Sequence, residues 1–150
     1  MIPAPVLLHH LLAPHAGSDR RALVHGEREL DYRTLHHKVD CFASALVRAG
    51  LDRGDRAAIF LPRGIEECIA IFAISRAGGV FVPINALLRG QQISHIVADC
   101  DAHTIITNRE LAPMVTACLQ GVVQVHILLV EEMIETELQP LRDDSIGEDL

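Results

Sequence analysis

The feature that most constrains this chain is an alternation of short apolar runs with longer segments of helical spacing. Each boundary is punctuated by Gly, Pro or a polar turn. Arg56 to Leu61 is one run, closed by Pro62, and Val80 to Val82 is another, stopped by Pro83. His103 to Thr107 and Val125 to Val130 follow. Between them Gly64 to Arg76, Gln91 to Ala98 and Arg109 to Leu119 read as helices. Ile65, Ile69 and Phe72 form the apolar stripe of the first, and Ile93, Ile96 and Val97 that of the second. A strand, a helix and another strand, joined by short loops, imply parallel β-α-β units with right-handed crossovers. The runs are continuous rather than alternating, as expected when helices cover both faces of a sheet. The expected fold class is therefore α/β, a doubly wound and mostly parallel sheet with helices on both faces.

The first fifty residues read differently. Val6 to Leu12 is a short helix ended by Pro14. Ala22 to His25 and Arg28 to Leu30 flank Gly26-Glu27, which predicts a hairpin. Asp31 then stands where an N-cap belongs, because its carboxylate can accept a backbone N–H of the first turn. Leu35, Val39, Phe42 and Leu46 recur at helical spacing behind it, and Gly50 closes the helix.

Charge divides the chain. The net charge is −7, yet residues 1–130 hold twelve acids and twelve Arg or Lys. The last twenty residues hold eight acids against Arg142 alone, so the whole imbalance sits there. We expect an α/β unit over 1–130 and a solvated acidic linker over 131–150. No basic stripe suits nucleic acid. The longest clear apolar run, Cys68 to Ile74, is far short of the ~20 residues that a membrane span needs. The N-terminus has no positive region before its short apolar stretch, unlike a secretory signal. Cys41, Cys68, Cys100 and Cys118 are widely spaced, which suits reduced thiols in the cytoplasm.

Sharper chemical readings fare poorly. His9-His10 and His36-His37 are adjacent pairs, which cannot share a helix face as two metal ligands would. His95 and Asp99 are four apart, which reads as a surface pair. Cys41 and Cys68 sit among apolar neighbours, as small core residues do. Gly78-Gly79 follows a helix and enters a strand, the reverse of a dinucleotide fingerprint, so it reads as a helix C-cap. No G-x-S-x-G elbow is present. We expect no catalytic residue, no metal ligand and no cofactor ligand in these 150 residues.

Two blocks carry a family resemblance. The first is Leu30-Asp-Tyr-Arg-Thr-Leu35, an amphipathic helix, then Gly50-Leu-Asp-Arg-Gly-Asp-Arg-Ala-Ala-Ile-Phe-Leu-Pro62. The second is Ser75-Arg-Ala-Gly-Gly-Val-Phe-Val-Pro-Ile-Asn85. In order and at this spacing, they resemble the N-terminal portion of the AMP-forming acyl-CoA synthetases, the acyl-adenylate-forming ligases. The similarity extends over roughly residues 20–130. Thr34 stands where the family often has the Glu that completes a capping box, and Ala86 replaces a frequent Pro. Both departures touch local structure.

The resemblance implies a parent that activates a carboxylate, such as a fatty acid, with ATP and Mg2+ and passes the acyl group to the thiol of CoA. It also implies that this chain is an N-terminal subdomain whose partner is the remainder of the ligase. The family's Ser/Thr/Gly-rich phosphate loop with its Lys is missing here. So are the Tyr-Gly-x-Thr-Glu-type segment, the ribose Asp and the C-terminal Lys. The one lysine, Lys38, reads as a solvent-facing helix charge. Ile146-Gly-Glu-Asp-Leu150 is similar to the segment that precedes the phosphate loop. The piece is therefore expected to be inactive alone and to self-associate through its uncovered sheet. Asn85, just past a strand end where α/β sheets bind ligands, is the one candidate substrate-binding residue, as a wall of the acyl and pantetheine pocket. A stand-alone flavodoxin-like binding or regulatory module is the alternative.

Overall fold

The computed structural model describes residues 7–122 and 124–135. After two 3-10 turns, Leu8–Leu11 and Ala13–His15, the chain forms a two-stranded antiparallel hairpin, β1 (Arg21–His25) and β2 (Arg28–Asp31). Helix α1 (Tyr32–Arg48) follows. The rest alternates: β3 (Arg56–Ile59), α2 (Ile65–Arg76), β4 (Val80–Pro83), α3 (Gly90–Asp99), β5 (Thr104–Thr107), α4 (Ala112–Leu119), β6 (His126–Leu129) and α5 (Val130–Ile134). The last four strands form one parallel sheet in the order β4-β3-β5-β6.

The two faces of this sheet are read directly from alternate residues. Ala57, Ile59 and Leu61 of β3 and its exit, with Ile106 of β5, turn toward α1, α2 and α5. Ala58, Phe60 and Ile105 turn the other way, toward α3 and α4. β3 and β5 are the central strands, and all four residues of β5 are buried. β4 and β6 are the edges and are only half-covered. This is the doubly wound sandwich expected from unbroken apolar runs.

Helix ends follow the residues that mark them. Asp31 is the N-cap of α1, its Oδ1 accepting the Thr34 N–H at 2.7 Å. Gly50, at φ 94°, supplies the left-handed residue after α1. Its N–H donates to Val47 O and that of Leu51 to Leu46 O, the paired bonds of a Schellman motif. α2 ends the same way through Gly78 and Gly79, whose N–H groups donate to Ser75 O and Ile74 O. Gly78-Gly79 is thus a helix stop and strand entry.

Three expectations need adjusting. The N-terminal helix is a pair of 3-10 turns. Phe72 and Ile96, read as part of the inward stripes, are half-buried. The stretch expected to open a solvated linker at 131 begins instead inside α5, where Val130 is 1% exposed and Met133 9%. Acid content suggested solvent, but the two apolar residues lie three apart and reach the core beside α1. The remainder of the expected linker, 136–150, lies outside the described residues.

Candidate functional site

Ligands in open α/β sheets collect beyond the carboxyl ends of the strands. Here those ends are Leu61-Pro62-Arg63 after β3, Ile84-Asn85 after β4, Asn108-Arg109 after β5 and Glu131 after β6. They are tied into one rim. The Ile84 N–H donates to Ile59 O at 2.8 Å and that of Phe60 to Ile106 O at 2.8 Å. The Arg109 N–H donates to Glu131 Oε1 at 3.1 Å. Asn108 Oδ1 accepts the Leu111 N–H at 2.8 Å.

Asn85 is exposed on this rim. Its Oδ1 accepts the Leu87 N–H at 3.0 Å, and its carbonyl accepts that of Leu88 at 3.0 Å. These bonds form an Asx turn, which explains why Asn stands at a strand exit. The turn holds Ile84 buried on one side and leaves Leu87 85% exposed on the other.

Three cavities among the described residues lie elsewhere. One of about 190 Å³ sits under the N-terminal 3-10 turns and is lined by His9, His10, His36, Asp40 and Arg76 among others. A second, of about 240 Å³, opens between β1 and the start of α2, beside His25, Arg63 and Cys68. A third, of about 380 Å³, is a polar hollow at Asp19, Arg21, Glu29 and Asp31. Asn85 lines none of these three.

The first cavity gathers residues that the sequence did not bring together. His9 is 8% exposed, with its Nδ1 3.0 Å from Ser75 Oγ. Burial, then His10 and Arg76, push its pKa down to about 4 against the weaker pulls of Asp40 and of a hydrogen bond to the Ser75 backbone. Arg76 Nε donates to Asp40 Oδ1 at 3.2 Å, and Asp40 Oδ2 lies 3.4 Å from His36 Nδ1. His36 and His37 are both engaged through i,i+4 spacing, His37 with the Cys41 thiol at 3.6 Å. His95 and Asp99 are exposed.

Burial raises the thiols of Cys41, Cys68 and Cys118 above the ordinary cysteine range, the reverse of an activated nucleophile. Lys38 is half-buried midway along α1, away from the strand ends. Among the described residues no group of three or more His, Cys, Asp or Glu is placed to hold a metal ion. No described helix is long and apolar enough to cross a membrane.

Fold and rim together define a three-layer α/β domain whose strand exits are tied along one edge. Residues 13–148 match the family description "AMP-binding enzyme", and the chain belongs to that family. It is 36% identical over 110 residues to a feruloyl-CoA synthase of Amycolatopsis sp, covering 73% of this chain and 22% of that one. It is 30% identical over 110 residues to tyrocidine synthase 1 of Brevibacillus parabrevis, covering 72% of this chain and 10% of that one. The solved N-terminal domain of FACL13 from Mycobacterium tuberculosis superposes with a TM-score of 0.82 at 21% identity, covering 97% of this chain and 40% of that one. The chain thus spans a quarter or less of these two relatives, and its fold is that of the N-terminal subdomain of adenylate-forming ligases.

Proposed function

We propose that these residues are the N-terminal portion of an AMP-forming acid–thiol ligase. In the parent reaction a carboxylate oxygen attacks the α-phosphorus of ATP, releasing pyrophosphate and forming acyl-AMP. A thiol, that of CoA, then attacks the acyl carbon and releases AMP. The observation that carries this reading is the family match over residues 13–148, joined to a sheet of the same subdomain fold. The similarity to feruloyl-CoA synthase favours CoA as acceptor.

The parent's ATP and Mg2+ do not fit the residues described here. Phosphate transfer chemistry needs concentrated positive charge at the reacting phosphates. The single lysine is on α1, and among the described residues no group of three or more His, Cys, Asp or Glu is placed to hold a cation. We therefore assign these residues a scaffolding part, inactive alone, with the phosphate-gripping groups supplied by the remainder of the ligase. Asn85 is proposed as a wall residue of the acyl pocket, supported by its exposure at the strand-exit rim. The acidic stretch after α5 would lead the chain toward the phosphate-binding part. Four dispersed free cysteines favour the cytoplasm.

ATP–pyrophosphate exchange tests the reading. The 150 residues alone are expected to show none across a panel of carboxylic acids, and measurable exchange would overturn the scaffolding assignment. The half-covered edge strands β4 and β6 support self-association of the isolated piece. A monomer at high concentration in sedimentation equilibrium would refute that part.

A further inference from the structure

The N-terminal 3-10 turns lie across α2 and α1, hydrogen-bonded to α2 through His9 and packed on α1 through the His15 ring, 4.8 Å from that of Tyr32. His9 precedes the segment that matches the family, which starts at residue 13. The fastening joins residues 66 apart: Ser75 Oγ is 3.0 Å from His9 Nδ1 and 3.4 Å from the His9 backbone N. Leu12 follows it into the core at 5% exposure, its N–H donating to His9 O at 3.1 Å.

We propose that residues 8–15 form an acid-released strap, buttoned to α2 by the uncharged imidazole of His9 and undone when that ring takes a proton. The neutral ring suits its seat. In the tautomer that leaves Nδ1 open, the Ser75 hydroxyl donates to it while accepting the His9 backbone N–H. A proton on Nδ1 takes away the acceptor of the Ser75 hydroxyl hydrogen, which must then turn away from the ring.

The charged surroundings act in the same direction. His10 faces His9 from the same turn, ring centroids 4.4 Å apart. Arg76 faces it from α2, while Asp40 and His36 face it from α1. Asp40 is the one anion in this group, and it is shared already by Arg76 and His36. A cavity of about 190 Å³ lies beneath the strap, while Leu12 is the packed side chain that release must withdraw from the core.

The expected response is quantitative. His9 titrates near 4 when seated, against 6.5 when free. A base whose seated pKa is depressed holds its segment fully above the free value and loses that hold as pH falls toward the seated one. The population of the open strap should therefore rise about 20-fold between pH 7 and pH 5.

Hydrogen exchange at the Leu12 amide, corrected for intrinsic rate, reads that population. We expect about 20-fold less protection at pH 5 than at pH 7, with amides of β5 unchanged. His9→Gln, which keeps a hydrogen-bonding side chain but cannot titrate, should abolish the difference. Ser75→Ala should raise exchange at pH 7 and shrink the pH dependence. A direct NMR titration of the His9 ring needs no variant and should give a midpoint near 4. Equal Leu12 protection at both pH values, a full loss retained in His9→Gln, or a ring midpoint near 6.5 would each overturn the strap.

Discussion

Arg56 grips Asp101 across the amino end of the sheet. Its Nη2 lies 2.6 Å from Asp101 Oδ2, and its Nε donates to Cys100 O at 2.9 Å. Asp101 is the one non-glycine residue at positive φ, 53°, among the described residues. It stands after α3 where Gly50 and Gly78 stand after α1 and α2. The Asp101 N–H donates to Ala98 O and that of Ala102 to Val97 O, so this helix too ends in a Schellman motif. An aspartate tolerates the left-handed position better than most residues, and Arg56, at the head of β3, fastens that turn to the neighbouring strand.

Two substitutions separate the parts of that grip. Arg56→Ala removes the guanidinium from two carbonyls and a carboxylate and should cost about 1–2 kcal/mol in urea unfolding. Asp101→Gly keeps the backbone carbonyls for Arg56, loses two largely exposed side-chain contacts, with Arg56 and with His103 Nε2 at 3.5 Å, and relieves the left-handed strain. It should be neutral or slightly stabilising. A larger loss from Asp101→Gly than from Arg56→Ala would contradict this division.

Gly79 is held by space rather than by φ. A Cβ there would lie 3.0 Å from Ile74 Cγ2, 3.0 Å from Leu51 Cδ2 and 3.2 Å from the carbonyl oxygen of Asp55. That carbonyl accepts the Val80 N–H at 2.7 Å and starts the β3–β4 pairing, so it cannot easily give way. Gly79→Ala should destabilise by about 1–3 kcal/mol. Gly17→Ala, where a Cβ meets nothing within 4 Å, is the matched control and should be close to neutral.

The legible parts of this molecule are those set by local rules. Asp31 as cap, and Gly50 and Gly78 as stops, follow from what neighbouring backbone groups require, and each stands in the expected role. Unbroken apolar runs gave the buried strands because both faces of a parallel sheet are covered. Sequence failed where partners are distant or a rule has an exception. Nothing near His9 announces Ser75, and Asp101 occupies a place where only glycine was sought. His36 and Asp40 follow the i,i+4 rule, so that pair is legible from spacing alone. Asn85 stood out at a strand exit, and its side chain is bonded within its own turn.

Asp31 also sets a pH dependence. The Thr34 hydroxyl and then its backbone N–H hold the Asp31 carboxyl below the ordinary aspartate range. A carboxylate depressed in the folded state stabilises fully above its unfolded pKa, and that help is lost as pH falls through the lower folded value. Asp31→Ala should lower Tm by a few degrees at pH 7, and the deficit should shrink in strong acid. Asp31→Asn, a good cap without a charge, should recover most of the Tm at pH 7 and flatten that part of the acid limb. An unchanged pH profile in Asp31→Ala would count against the cap as a titrating contact.

Met133 decides where the packed unit ends. Its side chain is 9% exposed and belongs to the same core as Phe42, Leu46 and Ile106, though it follows the acidic pair Glu131-Glu132. A residue in a solvated linker contributes nothing to the folding equilibrium, whereas truncating a buried methionine removes packed area and leaves a cavity. Met133→Ala should therefore cost about 2 kcal/mol or more, and Glu135→Ala, one residue past the helix on an exposed surface, less than about 0.5 kcal/mol. α5 rests on α1, so the loss should also appear as faster hydrogen exchange where α1 meets it. Equal stability of the two variants would return residues 131–135 to the linker and move the edge of the core back to β6.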